Sequence, residues 1–217
     1  MPSLEFHVHT KAGSADSSVS SDALAQYAVR EGLGAVVVAE HFRIWADWER
    51  AAFFERTGAR LYRAMEATTD AGHVIVVGPP AGFSPPRSAT ELLALARKEG
   101  WCSILAHPFR HYFDNIHPSQ RPHFLAGQTV EQLAANPIFG LIDAIEVENG
   151  ACTDRENALA CAVARHLDLP VTSGSDAHSI TELGRCRLRV DAVPEDEQAL
   201  ATLVRSWRLD RLPIVTE

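Results

Sequence analysis

His7 and His9, in the pentapeptide FHVHT, are separated by one residue, and Asp176 and His178, in GSDAH, repeat that spacing far along the chain. On an extended strand, side chains two apart point the same way, so each pair can reach one point in space. Imidazole nitrogens and carboxylate oxygens are the donors that bind divalent zinc, manganese or iron. Further groups of the same kind fall at the ends of apolar runs: His41 after AVVVAE, His107 in CSILAHP, and Glu66 and His73 around the junction of two strands near 61–68 and 73–78. Asp16 follows His9 by seven residues.

A single histidine at a strand end is more often a hydrogen-bonded structural residue than a ligand. Six of the ten histidines at strand ends, with Asp16, Glu66 and Asp176 beside them in the pattern, outweigh that reading. His166 falls on a helix among polar neighbours and reads as solvated, while His111, His117 and His123 belong to a long loop.

The elements that must position these groups alternate. Strands are expected at 4–8, 35–41, 102–108, 143–149 and up to 175, with a last one at 187–193. Helices are expected from Ser21 or Asp22 to Glu31, closed by Gly32, and over 46–58, 88–100, 129–136, 153–168 and 194–207. Repeated strand–helix units favour a parallel sheet with right-handed crossovers. The 217 residues are slightly short for eight such units. The expectation is one domain over 1–217, an α/β fold closed or nearly closed into a barrel of fewer than eight units, with a doubly wound open sheet as the alternative. In a parallel α/β fold the strand ends carrying the histidines lie on one face, where active sites form.

Composition narrows the function. A hydrophobic content of 46% suffices for a sizeable core. No apolar run reaches membrane-spanning length, and the first residues carry no signal-peptide pattern. Cys102, Cys152, Cys161 and Cys186 show no C-x-x-C spacing, so a reduced, cytoplasmic setting is expected. The net charge of −8 weighs against a nucleic-acid partner.

The motifs together resemble the PHP family, the polymerase and histidinol phosphatase domain. FHVHT resembles its first motif, AEHF (39–42) its second, AHPF (106–109) its third and GSDAH its fourth, in the family's order, with MEATTDAGHVIVVG (65–78) resembling the segment between. The likeness spans about residues 4–190. It implies a distorted (β/α)7 barrel, up to three divalent metal ions (zinc, manganese or iron), and hydrolysis of a small phosphate monoester by attack of metal-bound hydroxide on phosphorus. By resemblance, His7, His9, Glu66 and Asp176 hold one ion, Glu66 with His73 and His107 a second, and Asp16, His41 and His178 a third; Asp176, His178 and Glu66 are the central catalytic groups. The chain departs from the family at Ala39, where threonine is common, and at Glu5, where aspartate is common. Neither is a direct ligand.

Three divalent ions against the carboxylates of Asp16, Glu66 and Asp176 would leave a cationic cluster suited to a phosphate dianion. Arg110 and Arg185, on position, are candidates to bind that phosphate ahead of Arg43 and Arg121, and Asn149 is a candidate to line the site. The stretch 109–128 reads as a lid or as a packed surface loop. Trp45 and Trp48 read as aromatic packing of their helix on the barrel ahead of a pocket lining. Three other activities stay open: a phosphodiesterase or 3′–5′ exonuclease, a non-catalytic metal-binding regulatory domain, and a metal hydrolase acting on an amide or lactone.

Overall fold

The apolar runs divide by parity. In the second strand, Ala35, Val37 and Ala39 pack with Phe6, Tyr62 and Leu105, whereas Val36 and Val38 pack with Leu24 and Phe53 from helices outside the sheet. Both faces of the sheet are thus buried, as a barrel wrapped in helices requires. The computed structural model describes residues 1–114, 124 and 127–212. His117, Arg121 and His123 lie outside the described residues.

The elements are β1 (Ser3–Val8), α1 (Ser21–Arg30), β2 (Leu33–Glu40), α2 (Asp47–Thr57), β3 (Arg60–Thr69), β4 (Gly72–Val77), α3 (Ala89–Glu99), β5 (Cys102–Leu105), α4 (Val130–Ala134), β6 (Ala144–Asn149), α5 (Asp154–Leu167), β7 (Val171–Gly174), β8 (Leu188–Arg189) and α6 (Glu197–Ser206). The strands run in the order β7-β6-β5-β4-β3-β2-β1-β8. The two ends of the seven-strand run meet. Ser175 donates to the Phe6 carbonyl at 2.9 Å, His9 donates to the Ala177 carbonyl at 3.0 Å, and Val8 bridges Ala177 in parallel. The result is a distorted, nearly closed barrel. The short β8 pairs antiparallel with the start of β1.

The sheet is not uniformly parallel, contrary to the repeated strand–helix expectation. β3 and β4 form an antiparallel hairpin, and β4 is also antiparallel to β5. Gly72, at φ +107, permits the tight turn after Thr69. The reversal places His73, at the start of β4, on the rim where the parallel strands end. Glu66 lies inside β3, opposite Ile75, and not at a strand end.

Caps set the helix starts. α1 is capped by Ser20, one residue before the expected Ser21 or Asp22, through a 3.1 Å bond from Ala23 N–H. α5 opens on a capping box, with Thr153 and Glu156 each bonding the other's backbone. α6 starts later than expected because the Asp196 side chain takes the Ala199 N–H at 2.8 Å. The strand expected at 187–193 shrinks to Leu188–Arg189. Trp45 is buried and packs edge-on against Phe53, as expected of α2's flank, but Trp48 is 74% exposed and packs nothing onto the barrel. Within 109–128, Phe109, Tyr112 and Phe124 are buried, with the Phe109 and Phe124 rings tilted against each other at 4.9 Å. No described helix is long and apolar enough to cross a membrane.

Candidate metal centre

The nine expected ligands converge on the barrel's C-terminal rim. Glu66, projecting from β3, is at the middle. Its Oε1 lies 2.9 Å from His73 Nδ1 and 2.8 Å from His107 Nε2, and its Oε2 lies 3.3 Å from His9 Nε2 and 3.5 Å from His7 Nε2. Asp176 Oδ1 stands 3.5 Å from His7 Nε2 and 3.4 Å from His9 Nε2. On the outer side, Asp16 Oδ2 is 3.5 Å from both His41 Nε2 and His178 Nε2. Three groups could each surround an ion: His7, His9, Glu66 and Asp176; Glu66, His73 and His107; and His9, His41 and His178, with Asp16 beside the last.

The convergence costs backbone strain. His7 (φ +59), His107 (φ +26) and Asp176 (φ +49) all occupy the left-handed region that non-glycine residues avoid. The simple strand argument for His7 and His9 therefore needs correcting. β1 is irregular between Glu5 and Val8, and His9 lies one residue past its end. Asp176 and His178 likewise lie beyond β7. Kinked strand ends, more than the pleat alone, bring these pairs together.

His7 Nε2, His9 Nε2 and Asp176 Oδ1 are buried and have no hydrogen-bond partner. Burying polar atoms unpaired is costly, and three of them facing one point suit a cation. The other ring nitrogens are tied back. His7 Nδ1 lies 2.9 Å from Glu146 Oε1 and His9 Nδ1 lies 3.1 Å from Ser14 Oγ, which donates to Glu40 at 2.7 Å. His178 Nδ1 lies 3.0 Å from the Asp176 carbonyl. These contacts leave Nε2 of each ring free to coordinate. Donors of imidazole and carboxylate, without thiolate, fit divalent zinc, manganese or iron.

The electrostatics agree. Burial opposes charge on His7, but Glu146, Asp176 and Glu66 outweigh it and hold the imidazole well above its ordinary range. His9 is likewise raised, against burial, to about 9 by Asp176 and Glu66. Burial would raise Glu66, yet His7 and His107 hold it well below the usual carboxylate range; Asp176 is held down against burial by His7 and His9. Burial lowers His41. The two buried carboxylates thus favour positive charge at the point where the ring nitrogens meet.

A cavity of about 250 Å³ opens over the cluster, lined by Asp16, His41, Glu66, His73, Arg110, Ala151, Asp176, His178 and Glu182. Of the residues expected to contact substrate, Arg110 lines it, with Nη1 2.8 Å from Asp176 Oδ2. Asn149 is buried and its amide is spent on Glu146 and Asp176, at 2.8 and 3.4 Å, so it supports the carboxylates and does not face the cavity. Arg185 binds the Gly150 carbonyl at 3.1 Å, and Arg43 pairs with Glu49. His166 is exposed on α5, as expected.

A profile of the PHP-associated family (PHP_C) matches residues 154–208, about a quarter of the chain, including Asp176 and His178. Among solved structures, a protein of Bifidobacterium adolescentis provisionally assigned as a metal-dependent phosphoesterase is similar at 17% identity and a TM-score of 0.62, over 95% of this chain and 97% of that one. An amidohydrolase of Chromobacterium violaceum with bound sulfate and no metal is similar at 12% identity and 0.59, over 93% and 96%. A lesion-specific endonuclease of Pyrococcus furiosus is similar at 16% and 0.53, over 94% of this chain and 56% of its own. No curated protein matches in sequence.

The fold is that of these solved structures, and residues 154–208 are similar to the PHP-associated family. The motifs carry the direct ligand candidates and Glu40, but not every buried group that holds those ligands from behind. Glu146 holds His7. Glu40 accepts from Thr10, Ser14 and Trp45 and so anchors the loop bearing Asp16. Glu5 accepts from Ser175 and from Gly184 N at 3.2 Å, pinning the segment that bears Asp176 to β1. An acid buried inside an apolar strand, as in AIEVEN, is the sequence signal for Glu146. It also makes the cluster less cationic than three carboxylates alone imply.

Proposed function

We propose that this chain is a PHP-family metal-dependent phosphoesterase that hydrolyses a small phosphate monoester. The observation that carries the reading is the set of buried, unpartnered donor atoms on His7, His9 and Asp176 that face one point beside Glu66. Their chemistry fits divalent ions, which when bound lower the pKa of water toward neutrality and clamp phosphoryl oxygens.

The protein's own groups do the rest. His7, His9, Glu66 and Asp176 hold the inner position, with Glu66 shared toward His73 and His107. Asp16, His41 and His178 hold the outer one. Arg110, at the cavity wall, pairs with a phosphoryl oxygen and fixes the ester's orientation. The small polar cavity and the net charge of −8 support a compact monoester over a polynucleotide.

Phosphate release from a panel of small monoesters, run beside a diester and a labelled oligonucleotide, tests this. Release from monoesters alone supports the reading. Cleavage of the diester or oligonucleotide alone replaces it with a phosphodiesterase, and bound metal with no turnover of any phosphate ester replaces it with the amide-hydrolase or regulatory alternative.

A further inference from the structure

Glu146 lies behind the cluster and is fully buried at the middle of three strands. One oxygen, Oε1, takes the Nδ1 contact of His7 at 2.9 Å. The other, Oε2, accepts from the His107 backbone N–H at 3.0 Å and from Asn149 Nδ2 at 2.8 Å. The barrel leaves room for it by a glycine. A Cβ on Gly174 would stand 2.5 Å from Glu146 Oε1 and 2.6 Å from His7 Cβ. His7 and His107 belong to different candidate ion positions, and both have left-handed backbones that need an external hold.

We infer that Glu146 is the positioning residue that sets two ion positions together: its carboxylate fixes the Nδ1–H tautomer of His7 for the inner position and holds the His107 backbone for the neighbouring one. The inference rests on the reading of His7 and His107 as ligands. The carboxylate form is required. Oε2 receives two N–H donors, and the amide nitrogen of a glutamine placed there would oppose both of them. If glutamine instead turned its amide toward His7, the Nδ1–H would lose its acceptor. His9 is held differently, through the neutral hydroxyl of Ser14, and belongs to the inner and outer positions. Loss of Glu146 therefore weakens two positions as a pair and spares the one formed by Asp16, His41 and His178.

The test is zinc(II) titration of metal-free wild type, Glu146→Gln and Glu146→Asp by calorimetry, with ring-nitrogen NMR of His7 in each metal-free protein. Glu146→Gln should keep the outer-position affinity and lose about 10- to 100-fold at the inner position and at its neighbour formed by Glu66, His73 and His107. Its His7 Nδ1–H signal should shift or vanish, and Glu146→Asp, which keeps the charge, should recover part of both. Wild-type zinc affinity at every position with an unchanged His7 signal in a folded Glu146→Gln protein overturns the inference. If both variants fail to fold, the wild type decides: a hydrogen-bonded His7 Nδ1–H to a carboxylate supports the role, and a His7 protonated on Nε2 alone excludes it. Failure of the wild type to bind zinc at all sinks the ligand reading itself and is distinguishable, because the His7 measurement does not need metal.

Discussion

The inner and outer parts of the cluster are built to different standards. His7, His9, Glu66 and Asp176 are at most 1% exposed at the side chain, and His7, His9 and Asp176 are each tied from behind by a buried group or strained into place. Across the same cavity, Asp16 is 60% exposed, His178 25% and His41 15%. Its loop hangs on Glu40, whose carboxylate gathers donors from Thr10, Ser14 and Trp45. A buried, preorganised set of donors binds tightly because little ordering remains to be done. An exposed set shares its ion with solvent. The inner half therefore reads as the permanent part of the centre and the outer half as the part that exchanges.

The largest expected effect falls on the inner half. Asp176→Ala should lose about 10³-fold or more in turnover, since each ion supplies several kcal/mol of charge stabilisation. Circular dichroism should show the fold retained. Wild-type turnover in this variant would break the comparison at its base. Asp16→Ala should act on the other half alone: elemental analysis should show one ion fewer per chain while the inner ions stay. An equal loss of inner metal would mean that the two halves are one unit.

Packing gives the next effect. Gly174→Ala has no room between Glu146 and His7 and should destabilise the metal-free protein by about 1–3 kcal/mol in urea unfolding. The pH dependence should separate metal affinity from stability. His9, raised from 6.5 to about 9, stabilises the metal-free fold fully below pH 6.5, and that contribution is lost as pH rises through about 9. Glu66, held below 4.5, stabilises it above that pH and less as pH falls through its lowered value. Inner-site metal must displace the imidazole protons, so its affinity should rise from pH 6.5 to 9 while metal-free stability falls. Parallel trends in the two measurements would contradict the assignment. The smallest effect is Arg185→Ala. This arginine sits outside the cavity lining on the Gly150 carbonyl, and KM should change by no more than a few-fold.

The direct ligand candidates are legible in the sequence because each occupies a short motif at or near the end of an apolar run, and a barrel gathers such ends on one rim. The alternation of elements conveys the barrel class and most element positions. Three things are not legible. The reversal of β4 depends on the turn at Gly72, and the local pattern around His73 is the same for either direction. The left-handed backbones of His7 and Asp176 lie where β1 meets the segment after β7, and that of His107 is held by Glu146, so all three depend on residues far apart in the chain. The hold of Glu146 on His7 and of Ser14 with Glu40 on His9 joins residues from separate strands and loops; the acid within AIEVEN marks Glu146 as unusual, but its partner is not readable from its own neighbourhood. Asn149 stands at the expected place but serves a different purpose, because its amide faces Glu146 and Asp176 and not the cavity.

The central claim is that the buried donors form a metal centre. Its most direct test is elemental analysis of the purified chain after incubation with zinc, manganese or iron(II) and removal of free metal. At least two tightly held ions per chain, reduced in Asp176→Ala, are predicted. No ion retained under any of these conditions would mean that the histidines and acids are structural, and would contradict the account.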